Sequence, residues 1–181
     1  MIVGFTPFPT LETQRLSLRK LEPKDDKQTF DYRSNRKHFP YVDMPLYTDI
    51  GQARAYREKI NVGIENDQWI LWAIANKKDD TILGTATLWN LDDKAHTAEV
   101  GYGLYPGNLG QGYMTEALKA VTDFGIKVMQ LSTIDAYTHV DNQPSRALLV
   151  RCGYKELRPF TETETTDGKP IPLVIYRYTS S

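Results

Sequence analysis

The sequence has a single cysteine, Cys152, among its 181 residues. One cysteine cannot form an internal disulfide, so the chain is not a disulfide-stabilised secreted scaffold and fits a reducing compartment. Because Cys152 follows Leu148 by four residues on an apolar helical pattern, we interpret it as core packing rather than as a nucleophile. The three histidines, His38, His96 and His139, lack ligand spacing with one another or with the cysteine, so no metal site is predicted.

Long apolar runs and a large net charge are also lacking. No apolar stretch approaches the length that spans a membrane, and the N-terminus has no basic segment followed by an apolar one. A formal net charge of -1 gives no general electrostatic reason to bind nucleic acid. We therefore expect a cytoplasmic protein without a membrane or nucleic-acid partner. The length of 181 residues predicts one domain with a full core.

The motifs of the common nucleotide and hydrolase sites are missing as well. The chain contains no GxxxxGK[ST], no GxGxxG that opens a helix and no Gly-x-Ser-x-Gly. It does contain a glycine-rich turn with Gly107, Gly110 and Gly112, preceded by an alternating strand pattern over Thr97–Leu104. A helical pattern comes next, with apolar positions at Met114, Ala117, Leu118, Val121, Phe124 and Val128.

This strand–turn–helix segment has two features that favour a ligand site. A helix start has free N–H groups and a positive dipole end, and glycines let a phosphate approach the backbone. The strand alternation also places Glu99 on the same face as Gly101 and Gly103, where a carboxylate beside an open backbone is a candidate general base. The alternatives are an ordinary turn before a helix and a solvated carboxylate on a strand.

The remaining patterns predict a mixed α/β fold of about seven strands and about four helices. Residues Met1–Thr10 contain prolines and are predicted to be extended. The predicted strands are Gln14–Leu18, Gln68–Ala75, Thr81–Leu88, Thr97–Leu104, Leu131–Tyr137, Tyr154–Thr163 and Pro172–Tyr178. The predicted helices are Lys24–Asn35, Thr48 or Asp49 to Ile64, Met114–Val128 and Pro144–Cys152, with Gly153 as the last helix's left-handed stop.

An irregular segment, Arg36–Thr48, concentrates aromatic residues and prolines between the first two predicted helices. Phe39 and Tyr41 are therefore candidates for the wall of a pocket, or for a lid that packs on the core. His139 comes after a predicted strand, and we expect it at the surface rather than in a cleft.

The segment AEVGYGLYPGNLGQGYMTEAL resembles the acetyl-CoA-binding core of the GCN5-related N-acetyltransferases, in the branch of the ribosomal-protein N-terminal (RimJ/RimL-type) acetyltransferases. A second block, THVDNQPSRALLVRCGYKEL, and the start, LETQRLSLRKLEPKD, resemble the same branch. The resemblance covers Leu11–Tyr178 and implies one domain over residues 1–181. It also implies a mostly antiparallel twisted sheet, with acyl-CoA in a V-shaped opening between two central strands.

The resemblance assigns roles to individual residues. It makes Glu99 the general base and Ser145 the group that protonates the leaving sulfur. It places acceptor contacts at Phe39, Tyr41 and Trp89. The implied acetyl-CoA contacts are Val100, Gly101, Tyr102, Leu109, Gly110, Gln111, Gly112, Tyr113, Met114, Thr115, Asn142 and Ser145.

Four positions depart from the family pattern or have a second interpretation. Leu149 occupies the position of a tyrosine found in many relatives outside this branch, which weakens a tyrosine-acid mechanism at that place. Leu109 and Met114 differ from the residues usual at the phosphate loop, and Met114 either crowds the loop or turns into the core. Asn142 is also a candidate helix cap.

The resemblance implies an acetyl-CoA-dependent N-acetyltransferase that acts by direct attack of an amine in a ternary complex. By the branch alone, the expected acceptor is a protein N-terminal α-amine. Two alternatives stay open: a small-molecule amine such as a polyamine, amino acid or antibiotic, and a non-catalytic acyl-CoA-binding module. The sequence does not distinguish a monomer from a homodimer.

Overall fold

The computed structural model describes residues 3–181, and within that range it forms one open sheet with helices packed on it. The strands are β1 (Leu11–Glu12), β2 (Leu16–Arg19), β3 (Ile70–Asn76), β4 (Ile82–Asp92), β5 (Thr97–Leu104), β6 (Thr133–His139), β7 (Lys155–Glu162) and β8 (Ile171–Thr179). The α-helices are α1 (Asp26–Arg33), α2 (Ile50–Glu65), α3 (Tyr113–Asp123) and α4 (Gln143–Arg151). Short 3-10 turns occupy Pro23–Asp25 and Arg36–His38.

The sheet order is β1-β2-β3-β4-β5-β6-β8-β7, and the pairs are antiparallel except β5 with β6. This confirms the predicted mixed, mostly antiparallel sheet with its helices. The described residues form eight strands rather than about seven, because the two-residue β1 pairs Leu11 with Leu18 of β2. Residues 3–10 form no strand, and the first two residues of the predicted extended segment Met1–Thr10 lie outside the described range.

The two central strands part halfway along their length. The parallel pairing of β5 with β6 ends at Val100 and Ala136. Beyond that point β5 continues to Leu104 paired with β4, and β6 continues to His139 paired with β8. The facing edges of the two strands are therefore without a partner strand, which is the V-shaped opening that the resemblance implies.

Helix α3 packs its apolar stripe on the sheet, with Leu118 and Val121 fully buried. The prediction that Val128 continues this stripe is wrong, because its side chain is 50% exposed. A wide π-type turn over Phe124–Val128 adds backbone to the helix and rotates the residues after it relative to the stripe. Met129, 1% exposed, therefore occupies the core in place of Val128.

The ends of α4 match their predicted signals. The Asn142 side chain accepts a hydrogen bond of 3.3 Å from the backbone N–H of Ser145, so Asn142 caps the helix. Gly153 ends it with φ +88°, and Cys152 is buried in the core as expected. No helix in residues 3–181 has the length and apolarity needed to cross a membrane.

Candidate functional site

A cavity of about 1090 Å³ occupies the opening between β5 and β6. One end lies under α1 and the loop after it, where Tyr32, Phe39 and Met44 contribute to the wall. The other end lies at the glycine-rich turn and the start of α4, where Gly110 and Ser145 line it. The cavity is therefore continuous across the parted strands, from the irregular loop to the turn before α3.

The turn before α3 presents unused backbone donors to this cavity. Gly107, Gly110 and Gly112 have φ values of +86°, +74° and +78°, a left-handed conformation that favours glycine. Within the described chain, the backbone N–H groups of residues 109–115 donate no hydrogen bond. A Cβ on Gly107 or Gly110 would meet nothing within 4 Å, so the space beside the turn is open. Free amides, open space and a helix N-terminus together suit a diphosphate.

Glu116 and Arg15 hold the turn in place through hydrogen bonds that no sequence pattern indicates. Glu116 accepts hydrogen bonds from the Thr13 hydroxyl at 2.5 Å, from Arg15 N at 2.7 Å and from Arg15 Nε at 2.8 Å. The same arginine donates through Nη1 to the Gln111 carbonyl at 2.9 Å, and its guanidinium lies 4.5 Å from the Tyr113 ring centre. Because the Gln111 carbonyl is held by Arg15, the amides after it keep their direction.

Three hydroxyl groups form a chain at the start of α4. Thr138 Oγ1 donates to Ser145 Oγ at 2.9 Å, and Ser145 Oγ lies 2.7 Å from the Tyr102 hydroxyl. Burial raises the pKa of Tyr102 well above its ordinary value, although the bond with Ser145 opposes that rise. The sequence offers Tyr102 only as a backbone contact for the cofactor. The alternation that groups it with Ala98 and Val100 is the signal that its side chain turns toward α4.

Glu99 is half-buried on β5, where Asn90 Nδ2 donates a 2.8 Å hydrogen bond to its Oε1. Burial raises the pKa of Glu99, the bond from Asn90 opposes the rise, and the charges of Asp135 and Glu162 add to it. Among the described residues that line the cavity, Glu99 is absent, but Gly101, two residues further along the same face, is present. Trp89, which is paired with Glu99 across the sheet, also lines the cavity, so Glu99 lies beside the wall, with its backbone one strand repeat from Gly101.

The three predicted acceptor residues all line the cavity, though in different ways. Phe39 is 2% exposed and packs against Tyr32, so it belongs to the core as well as to the wall. Tyr41 and Trp89 are more exposed and line the same space. The expectation that His139 lies at the surface is wrong, because its ring lines the cavity and packs 5.0 Å from the Tyr41 ring.

The predicted cofactor residues are brought together with one exception. Those that line the cavity are Val100, Gly101, Tyr102, Leu109, Gly110, Gly112, Tyr113, Met114, Thr115, Asn142 and Ser145. Gln111 is not among them, because its side chain turns back to donate to the Gly107 carbonyl at 3.2 Å. Met114 is 5% exposed and packs in the core, so its larger side chain does not fill the turn.

Comparison with known proteins places this architecture in a family. A family model described as an acetyltransferase (GNAT) domain matches residues 15–155. Over 167 residues the chain is 29% identical to the N-acetyltransferase p20 of Bacillus licheniformis, itself uncharacterized; the match covers 92% of this chain and 94% of p20.

Two solved structures share the fold. Mycobacterium smegmatis RimJ, solved in complex with CoA-disulfide, has a TM-score of 0.84 at 20% identity over 95% of this chain and 88% of RimJ. The microcin C7 self-immunity acetyltransferase MccE, solved in complex with acetyl-CoA and AMP, has a TM-score of 0.81 at 20% identity, over 92% of this chain and 93% of MccE. The free amides, the parted strands and the matched domain agree: this chain belongs to the GCN5-related N-acetyltransferase family, whose members are acyltransferases that use acetyl-CoA as the acetyl donor.

Proposed function

We propose that the chain transfers an acetyl group from acetyl-CoA to the α-amine of a protein or peptide N-terminus, by direct attack in a ternary complex. The observation that carries this proposal is the continuous cavity, which joins the free amides of residues 109–115 to the aromatic wall at Phe39 and Tyr41. A single space that reaches both ends can hold donor and acceptor at the same time. That arrangement is what direct attack requires.

When bound, acetyl-CoA supplies a thioester whose acetyl group is activated for transfer to nitrogen. Residues 109–115 offer amides for its diphosphate, and the unpartnered edges of β5 and β6 offer backbone groups for its pantetheine arm. A route through a cysteine nucleophile is disfavoured, because Cys152 is 6% exposed and is not among the described residues that line the cavity. Burial also raises the pKa of its thiol, which lowers the thiolate fraction.

Glu99 accepts the amine proton in this proposal. An α-amine titrates near 8, so its deprotonation at neutral pH costs on the order of 1 kcal/mol, whereas a lysine near 10.4 costs several times more. Glu99 lies one strand repeat, roughly 7 Å, from the position of Gly101, so we assign the transfer to one bridging water. Its raised pKa makes Glu99 a stronger base than an ordinary surface carboxylate.

The hydroxyl chain serves the departing sulfur. Because the pKa of Tyr102 is raised, its phenol stays protonated at neutral pH and is a permanent hydrogen-bond donor. A thiol titrates near 8.5, so complete proton transfer from such a phenol to a thiolate is unfavourable. In this chain Thr138 donates to Ser145 and Ser145 donates to Tyr102, so the Tyr102 proton is the one left to hydrogen-bond to the departing thiolate.

The peptide acceptor is supported by the sequence resemblance to the ribosomal-protein N-terminal acetyltransferases, and the acidic side of the cavity supports an amine as the acceptor. Asp43, Glu162 and Glu164 line it near the acceptor end, where they favour the approach of a cationic amine. Asp43 also accepts hydrogen bonds from Thr166 N at 2.8 Å and Thr166 Oγ1 at 3.0 Å, which connect the irregular loop to the β7–β8 hairpin across this end.

The test is release of free CoA from acetyl-CoA with a panel of acceptors. The panel contains peptides with free N-termini, the same peptides with blocked N-termini, polyamines, amino acids and an aminoglycoside. We expect release with free N-termini and none with blocked ones. In Glu99→Gln, kcat/KM should fall by about 10²- to 10⁴-fold, while the CoA dissociation constant, measured by calorimetry, stays unchanged. Release with small amines and none with peptides would overturn the peptide acceptor.

A further inference from the structure

Arg33, the last residue of α1, is a buried positive charge without a negative partner. Its side chain is 8% exposed and lines the acceptor end of the cavity. Within the described chain its Nε has no hydrogen-bond partner, and no carboxylate forms an ion pair with its guanidinium. Its contacts are with two aromatic rings, 4.5 Å from the Tyr47 centroid and 5.0 Å from that of Tyr56. The buried Nε–H donor is therefore unsatisfied within the described residues, because the neighbouring rings contact the guanidinium without supplying an acceptor oxygen.

The rings do not neutralise this charge. Burial raises the pKa of Tyr47 and of Tyr56, although the charge of Arg33 opposes the rise, so both phenols remain neutral at physiological pH. Their attraction for the guanidinium is the weaker cation–π kind. An uncompensated charge in a low-dielectric place is expensive, and proteins retain one where a ligand supplies the opposite charge.

Arg19 shows how this chain treats a buried arginine with a structural role. Arg19 is 9% exposed, close to the value for Arg33. It donates to both oxygens of Asp25 at 2.8 and 3.0 Å, and to Asp80 at 2.8 Å. The two arginines are therefore buried to a similar extent but differ in their partners. Arg19 binds two carboxylates, whereas Arg33 binds none among the described residues and lines the cavity.

The place of Arg33 also separates it from the diphosphate end. Tyr32, the preceding residue, reaches β5, since a Cβ on Gly103 would lie 2.8 Å from its hydroxyl. Of the cavity-lining residues that the structure describes, the other fixed cation is Arg151, whose Nη2 lies 3.5 Å from Thr115 Oγ1 on the first turn of α3. Each end of the cavity thus has its own arginine.

Building on the proposed function, we propose that Arg33 binds a carboxylate of the acceptor, so that the acceptor is an amine that also carries a negative group. The guanidinium fork matches a carboxylate in geometry and charge. On a peptide acceptor the carboxylate belongs to an acidic side chain near the N-terminus; on an amino acid it is the α-carboxylate. Asp43 and Glu162 also line the cavity, and their charges favour the amine of such an acceptor.

The test measures binding and needs no acetyl transfer. Calorimetry on the CoA-saturated full-length protein uses two pairs of product-like probes: N-acetyl-Ala-Glu-amide against N-acetyl-Ala-Gln-amide, and N-acetylalanine against its amide. We expect the carboxylate member of one pair to bind about tenfold to a hundredfold more tightly, the factor of one charge-assisted hydrogen-bonded contact. The pair that discriminates identifies the source of the carboxylate. No discrimination in either pair overturns the proposal without any variant.

Variants then assign the effect to Arg33. Arg33→Met should abolish the discrimination, leave CoA affinity unchanged and leave the thermal midpoint no lower than that of the wild type, while Arg33→Lys keeps part of the discrimination. Arg19→Met, the matched control, should lower the midpoint strongly because it leaves Asp25 buried and unpaired. The proposal is overturned if Arg33→Met still discriminates between the probes or if it loses as much affinity for CoA as for the carboxylate probe. It is also overturned if its thermal midpoint is as low as that of Arg19→Met. If the discrimination depends on Arg33 but the protein acetylates no peptide, the carboxylate site is supported and only the proposed peptide acceptor is wrong.

Discussion

Asn90 holds Glu99 by a 2.8 Å hydrogen bond from a left-handed backbone conformation, φ +48°. Such a φ is uncommon outside glycine, and asparagine is among the residues that tolerate it. The bond acts on the ionised carboxylate, so it lowers the pKa of Glu99 against the larger effect of burial, which raises it. Asn90 thereby lowers the pH at which the proposed base becomes active.

Replacing Asn90 by glycine should move the acid limb of the pH profile upward. Asn90→Gly keeps the left-handed backbone accessible and removes the donated bond, so the pKa of Glu99 rises further. A base works only when deprotonated, and kcat/KM should therefore fall off at a higher pH, by up to about one unit. The measurement is kcat/KM against pH with one acceptor peptide. Gln130→Gly is the control, because Gln130 also has a positive φ, +57°, away from the site. An unchanged acid limb in Asn90→Gly would count against Glu99 as the base.

The elements of this fold could be predicted from the sequence because their signals are local. The alternation of side chains predicts β5, and the apolar stripe predicts α3. Asn142 and Gly153 predict the two ends of α4. The end of that stripe could not be predicted, since a wide turn at Phe124 leaves no mark in a period of 3.6 residues.

The site was only half predictable, because its geometry depends on distant contacts. The amide turn and its position beside β5 can be inferred from a continuous segment. The bond from Arg15 to Glu116 joins residues 101 apart in the chain, and the contact of Tyr102 with Ser145 joins residues 43 apart. No pattern within one element records such pairs. No sequence pattern indicates that Arg33 lacks an ion-pair partner among the described residues, because a missing partner can be recognised only in three dimensions.

The brace between β2 and α3 should give a pH-dependent part of the stability. Burial alone would raise the pKa of Glu116, but the bonds from Thr13 and Arg15 outweigh it, so the pKa of the carboxyl is lowered. A lowered folded-state pKa contributes stability above the unfolded value, near 4.3, and that contribution is lost as the pH falls through the folded value. Glu116→Gln should therefore cost about 1–3 kcal/mol at pH 7 and progressively less below about pH 4.

Urea unfolding of the wild type and Glu116→Gln across that pH range checks this prediction. The Glu65→Gln variant is the control, because Glu65 pairs with Lys20 at 3.5 Å on the exposed surface and should change stability by less than about 1 kcal/mol. Since Arg15 also holds the Gln111 carbonyl, Glu116→Gln should weaken CoA binding as well. A stability difference that is constant with pH would exclude the ionised carboxylate as its source.

The open space beside the turn before α3 can be tested with two glycines of the same conformation. Gly110 and Gly168 both have φ +74°, and a Cβ on either would meet nothing within 4 Å. Alanine at each should therefore cost a similar amount of stability, about 1–2 kcal/mol of backbone strain. Gly110→Ala alone should weaken CoA binding, because its methyl group enters the space where the diphosphate approaches the amides. The measurement is the CoA dissociation constant of each variant by calorimetric titration. Equal dissociation constants for the two variants would show that the diphosphate does not bind at this turn.

The Tyr102 hydroxyl should matter for turnover and little for the fold. In Tyr102→Phe the ring stays and Ser145 keeps its bond from Thr138, so kcat should fall by about twofold to tenfold, the effect of one neutral hydrogen bond. Tyr154→Phe is the matched control: its hydroxyl is also buried, lies 2.8 Å from Thr122 Oγ1, and belongs to a residue outside the cavity lining of the described chain. Steady-state kinetics and thermal midpoints are measured for both. Similar midpoints with a fall in kcat confined to Tyr102→Phe support hydrogen bonding to the departing sulfur. An equal fall in both variants would assign the loss to general packing.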